Sequence, residues 1–156
     1  MSLRALGSVV RIWLVAGTLD ITDAIVFSAF HHVMPQRIFR FIASGLTGPW
    51  AFHAGMASVA LGVAIHYTIA LVWTLLYWVA SARVAILVKR PVVCGLLYGA
   101  LVYVVMNFVV LPLSRIPHAH GHTPLPSLIN GVLALLFCIG LTVAWLTRKE
   151  RLANSV

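Results

Sequence analysis

From Ala57 to Ala80 the chain runs without one Asp, Glu, Lys or Arg, and Val92–Leu113 and Ser127–Thr147 do the same. Each run is about 20 residues or slightly more, which at ~1.5 Å per helical residue matches a hydrocarbon core of roughly 30 Å. In lipid the backbone must satisfy its own hydrogen bonds, so a segment of this kind is a helix or a strand of a closed barrel. The runs are continuous and far longer than the ~10-residue alternating segments of a membrane barrel, which leaves the helix. Ser8–Phe30 is a fourth stretch of the same length, largely apolar but carrying Arg11, Asp20 and Asp23. The expected fold is therefore all-α: one polytopic membrane domain over residues 1–156, with four transmembrane helices at about 8–30, 57–80, 92–113 and 127–147.

Charge placement gives the threading. The chain is 62% hydrophobic and 9% charged, which excludes an ordinary soluble domain. Its net charge of +8 sits at the ends of the apolar runs, so the basic residues read as topology signals and headgroup contacts, not as a nucleic-acid surface. Arg4, Arg11, Arg83, Lys89, Arg90, Arg148, Lys149 and Arg151 share one side, against Arg37, Arg40 and Arg115 on the other. That bias puts both termini in the cytoplasm. Arg4 and Arg11 before an apolar run resemble a signal peptide, but the run is too long and carries two aspartates, so it is expected to be retained as the first span.

Only three acidic residues occur in the chain, and two of them are Asp20 and Asp23. An ionisable group near the bilayer centre costs ~2.5–3.5 kcal/mol on insertion scales. Three residues apart on a helix, the two carboxylates share a face. Ala16, Gly17 and Ala24 lie near it and would let another helix approach, while Val15, Ile25 and Val26 on the other side suit lipid. Two such neighbours in a low dielectric are not easily both charged, so the pair is expected to titrate jointly.

Depth suggests their company. Counted from the cytoplasmic ends, Asp20 lies roughly 16 Å in, Asp23 and His66 roughly 21 Å, and Asn107 roughly 22 Å. Asn130 lies slightly further out. The expected proton, ion or buried polar site is Asp20, Asp23, His66, Tyr103 and Asn107, in the outer half of the membrane. The bland alternative makes the same groups packing glue, with His66 bonded to Asp23. Arg11 is about 13 Å from Asp20 along the helix and is expected to snorkel to the headgroups.

The connections carry further signals. After His31-His32, Pro35 opens and Gly45 closes a short amphipathic segment, with Ile38, Phe41 and Ile42 on one face and Arg37 and Arg40 elsewhere. It is expected as a helix in the outer interface, followed by Trp50 as an anchor. Gly95 and Gly99 form a GxxxG pattern, a helix-packing signal through which a homo-oligomer could also form. The third loop holds His118, His120 and His122. Alternate imidazoles in a loop can ligate a divalent transition metal, though no acid stands nearby to support them. Cys94 and Cys138 lie in apolar segments without CxxC spacing, so no redox or zinc motif is read. The tail from Arg148 is expected to fray.

Several short stretches carry a resemblance: Gly17-Thr18-Leu19-Asp20 with Asp23-Ala24, Arg37-Ile38-Phe39, Ile42-Ala43-Ser44-Gly45, His66-Tyr67, and Val105-Met106-Asn107-Phe108 with Leu111-Pro112-Leu113-Ser114. Together they resemble uncharacterised four-span bacterial inner-membrane proteins of the YagU-like group, over about residues 10–147. The resemblance implies a location in the bacterial cytoplasmic membrane and supplies no catalytic residues.

No Ser-His-Asp, Cys-His or zinc-hydrolase spacing is present, so no enzyme is expected. The expected role is the handling of protons, a cation or a small solute at the intramembrane Asp/His site, in a homo-oligomer within the bilayer. The alternative is an accessory or structural subunit of a larger membrane complex.

Overall fold

The computed structural model describes residues 3–116 and 124–153. All regular structure among them is helical: α1 (Leu3–Phe30), α2 (Pro35–Thr47), a 3-10 turn at Gly48–Phe52, α3 (Gly55–Arg83), the short α4 (Ile86–Lys89), α5 (Pro91–Leu113) and α6 (Leu125–Ala153). Three of these, α3, α5 and α6, are long and apolar enough to cross a membrane. The fourth long helix, α1, matches them at 28 residues but carries Arg4, Arg11, Asp20 and Asp23.

The long helices run alternately up and down. Ser8 near the start of α1 meets Glu150 at the end of α6, while Asp23 near the other end of α1 meets Asn130 near the start of α6. Between α3 and α5, Tyr98 donates to the Trp73 carbonyl at 2.6 Å and stacks edge-on against Tyr77. Large apolar side chains such as Val26, Leu76, Leu97, Leu101 and Trp145 face outward, as suits a chain whose solvent is hydrocarbon. The dry core is small. Val9, Ile12 and Ala16 of α1 meet Tyr77 and Trp78 of α3, Val102 of α5, and Ile139, Val143 and Ala144 of α6.

Glycine sets the closest approach. A Cβ on Gly140 would lie 2.3 Å from the Gly95 carbonyl oxygen and 2.7 Å from the Gly99 Cα. One on Gly99 would lie 2.5 Å from the Leu135 oxygen. Backbone therefore rests on backbone between α5 and α6, as small residues allow in membrane helices. The GxxxG face is filled by the chain's own last helix and is not open to a second copy.

Both crossing helices widen locally into π turns, at Met106–Val110 in α5 and Leu135–Leu141 in α6. In α5 the cause is Pro112, whose ring lacks the N–H that the Phe108 carbonyl would bond and crowds that carbonyl. In α6 the Thr142 hydroxyl donates to the Phe137 carbonyl five residues back, at 3.0 Å.

Helix α2 runs past the expected Gly45 to Thr47 and is capped at Gly48, whose φ of +64° is the conformation glycine favours. Gly45 stays helical, and its carbonyl accepts from the Arg115 N–H at 2.9 Å, tying α2 to the chain that leaves α5. Ala43 and Ser44 turn α2 toward the rest of the bundle, and Phe41 is left exposed. Its backbone at Phe39 rests on Gly62 of α3, where a Cβ would meet the Phe39 oxygen at 2.0 Å.

The tail is not frayed where it is described. α6 continues as helix to Ala153 and docks. Arg11 pairs with Glu150 at 2.7 Å instead of reaching freely to headgroups, and the Ser8 hydroxyl donates to the same carboxylate at 2.7 Å. The Arg151 guanidinium lies 4.0 Å over the Trp78 ring and donates to the Trp78 carbonyl and the Ser81 hydroxyl.

Candidate functional site

A cavity of about 430 Å³ lies between α1, α5 and α6. The glycine crossing explains its position. Close contact between α5 and α6 is concentrated at the Leu135–Leu141 stretch, and the preceding turns of α6 touch α5 only sparsely. Beyond Gly99 the two helices part, and side chains from all three helices line the gap. Asp20 and Asp23 enter from α1, Tyr103 and Asn107 from α5, and Ser127 and Asn130 from α6, with Leu135 at the crossing. From Ser127 to Leu135 the wall of α6 extends about 12 Å. Ser127 stands in the first turn of α6, so the cavity reaches that end of the bundle.

Hydrogen bonds fix several of these groups. The Asn130 amide donates from Nδ2 to Asp23 Oδ2 at 2.9 Å. The Asn107 amide donates from Nδ2 to the Tyr103 carbonyl at 2.9 Å, one turn back on its own helix. Each bond ends on an oxygen acceptor, which orients the amide and leaves its Oδ1 able to accept. Asp20 is half-buried and within electrostatic reach of Asp23 and His66, and among the described residues no hydrogen-bond donor rests on its carboxylate. The remaining wall is apolar and small (Ala24, Gly131, Ala134), with Phe108 beside it.

Four of the five residues expected at the polar site, Asp20, Asp23, Tyr103 and Asn107, thus line one cavity. His66 stands on α3, packed against α1 and buried, and it does not line the cavity. Its Nε2 donates to the Gly17 carbonyl at 2.8 Å, so its partner is backbone and not the Asp23 carboxylate. A carbonyl accepts only, so the proton sits on Nε2. The same α1–α3 contact includes Trp13 Nε1 donating to the Tyr67 carbonyl at 2.7 Å, and the Thr18 and Tyr67 hydroxyls 3.0 Å apart. Gly17 makes room, with Ala70 and Tyr67 both 3.2 Å from where its Cβ would be.

Asn130 and Ser127 complete the cavity although the expected site did not include them. The signal for Asn130 was its place in an otherwise apolar span, since an unpaired amide there is costly. His118, His120 and His122 lie outside the described residues. Among the described residues no group of three or more His, Cys, Asp or Glu side chains is gathered where a metal ion could be held. Cys94 and Cys138 are both free thiols. Comparison of the chain with protein-family models, with curated proteins and with solved structures returns no match.

Proposed function

We propose that the chain is a four-span integral protein of the bacterial cytoplasmic membrane, both termini cytoplasmic, that holds a proton, a cation or a small solute at the Asp20–Asp23 cavity. The observation that carries this reading is the cavity itself. Both intramembrane acids open onto one space with two amides and a phenol, in the half of the bundle away from the basic ends. Intramembrane acids that face a cavity mark ion and proton pathways more often than they serve packing alone. α1 becomes the fourth span because its length matches the others and its two acids face the bundle, not lipid. α2, amphipathic and laid against the first turns of α3, is read as resting in the outer interface.

The test is flux. Full-length protein in liposomes should carry a pH-dependent or cation-dependent flux that Asp23→Asn abolishes while the variant remains folded. Wild-type protein that moves neither protons nor cations, at several lipid compositions, would sink the reading.

A second reading, an accessory subunit whose polar groups lock helices, draws on the bonds His66 to Gly17 and Asn130 to Asp23, each of which ties α1 to another helix. It expects stoichiometric foreign chains on gentle purification, with Asp23→Asn costing stability and no flux to lose.

A further inference from the structure

The cavity is large for the guests an acid pair usually suggests. About 430 Å³ is many times the roughly 30 Å³ share of one water molecule in the liquid, and it falls within the range of small-molecule sites. A proton or a bare inorganic ion would leave most of that space to water.

The lining specifies the guest's chemistry. Asp20 and Asp23 are the charged groups on the wall, and among the described residues no Lys, Arg or His lines it, so an anion is disfavoured. The two carboxylates stand ~4.5 Å apart along the axis of α1, close enough for one cationic group to bridge them. Asn107 and Asn130 each commit one N–H to a protein acceptor and keep the amide oxygen as an acceptor. An ammonium group has three donors and no acceptor, so two carboxylates flanked by amide oxygens suit it. The rest of the wall does not suit a hydrated metal ion. Ala24, Ala134 and Leu135 offer apolar surface, and Tyr103 and Phe108 offer rings of the kind that attract organic cations.

We propose that the cavity binds a small organic monocation of the alkylammonium class, its ammonium between Asp20 and Asp23 and its hydrocarbon body along Ala134 and Leu135. This rests on the ion or solute reading above and narrows it to one substrate class.

The experiment is calorimetric titration of the full-length protein in lipid nanodiscs, at fixed pH and ionic strength. The probes are butylammonium, tetramethylammonium, sodium and butanoate. Saturable butylammonium binding with no butanoate binding is expected, weakened at least about tenfold by Asp20→Asn, as loss of a charge-assisted contact predicts. Ala134→Leu removes room and no charge, so it should weaken butylammonium by a similar factor and leave any sodium or proton effect in place. It is also the check should Asp20→Asn not fold. Binding of sodium or protons without butylammonium overturns the substrate class and leaves the ion reading standing. Butylammonium binding indifferent to both variants overturns the assignment to this cavity. No binding of any probe, together with absent proton and cation flux, overturns the ion reading as well.

Discussion

Asn130 donates to Asp23 at 2.9 Å across a chain separation of 107 residues, joining the first and last long helices at the mouth of the cavity. This bond does two things at once. It holds α6 to α1 where α6 has parted from α5, and it occupies one oxygen of the acid pair, which leaves Asp20 as the carboxylate without a protein donor among the described residues.

Removing the amide should loosen that end of the bundle without closing the cavity. Asn130→Ala is expected to lower stability by about 0.6–2 kcal/mol, the span reported for hydrogen bonds between membrane helices. Asn130→Asp keeps the shape but adds a third carboxylate, so its cost should grow as pH rises and the acids ionise, since like charges then face each other. Thermal unfolding in detergent at several pH values checks both. An Asn130→Asp variant whose stability does not fall with pH would mean that the bond is not formed.

The glycine crossing makes a sharper contrast between two positions on one helix. Gly140→Ala places a methyl against Gly95 and Gly99 backbone, where nothing flexible can yield, so α5 and α6 must separate. Overpacking of this kind costs typically ~1–3 kcal/mol. Gly131→Ala, nine residues earlier, meets nothing within 4 Å and should be neutral or stabilising by up to ~1 kcal/mol through helix propensity. Melting temperatures of the two variants in one detergent decide the point; equal shifts would contradict the crossing.

The position of His66 separates a relay from a tie. Its N–H is committed to the Gly17 carbonyl, and it does not line the cavity. His66→Ala should therefore destabilise the α1–α3 contact by about 1–3 kcal/mol, from the lost bond and the space left behind. Flux through the Asp20–Asp23 site should survive the change, although its pH midpoint can move because His66 lies within electrostatic reach of Asp20. Flux abolished by His66→Ala but not by Tyr67→Phe would restore a proton-sharing role, because Tyr67 belongs to the same contact without an imidazole.

Much of the fold could be read from the chain because hydrocarbon imposes simple rules. The apolar runs at 57–80, 92–113 and 127–147 fall inside α3, α5 and α6, since a run that long must close its own hydrogen bonds. The Asp20–Asp23 spacing identified the face of α1 that would turn inward, and common depth with Asn107 and Tyr103 brought these residues together before any contact was known. Depth has no azimuth, however. Counting puts His66 level with Asp23, yet it bonds Gly17, earlier on α1, and faces α1 from α3 while the cavity lies toward α5 and α6. Nor does residue type at a single position decide a cap. Gly45 looked like the end of α2, but the helix runs on to Thr47 and it is Gly48 that takes the positive φ. The docking of the tail was hidden for a related reason. Glu150 and Arg151 read as solvated charges until their partners, distant in sequence, are in place.

That docking gives the last prediction, which weighs two neighbouring residues of α6 against each other. The Arg11–Glu150 pair is short, but the Arg11 side chain is 70% exposed and Glu150 is 14% exposed, so water and salt screen it from one side. Exposed pairs are worth about 0–1 kcal/mol and weaken with ionic strength. Arg11→Ala should therefore cost little at low salt and less at high salt. Arg151 is held differently: its guanidinium carbon lies 4.0 Å over the Trp78 ring, and it donates to the Trp78 carbonyl at 2.6 Å and to Ser81 at 3.3 Å. Those contacts depend on a planar group with several donors, which lysine does not supply. Arg151→Ala should thus cost more than Arg11→Ala, by about 1–2 kcal/mol, with little salt dependence, and Arg151→Lys should not rescue it. Thermal melts of the three variants at low and high salt provide the measurement. Full rescue by lysine would show that charge alone holds the tail, and that the stacking on Trp78 contributes nothing.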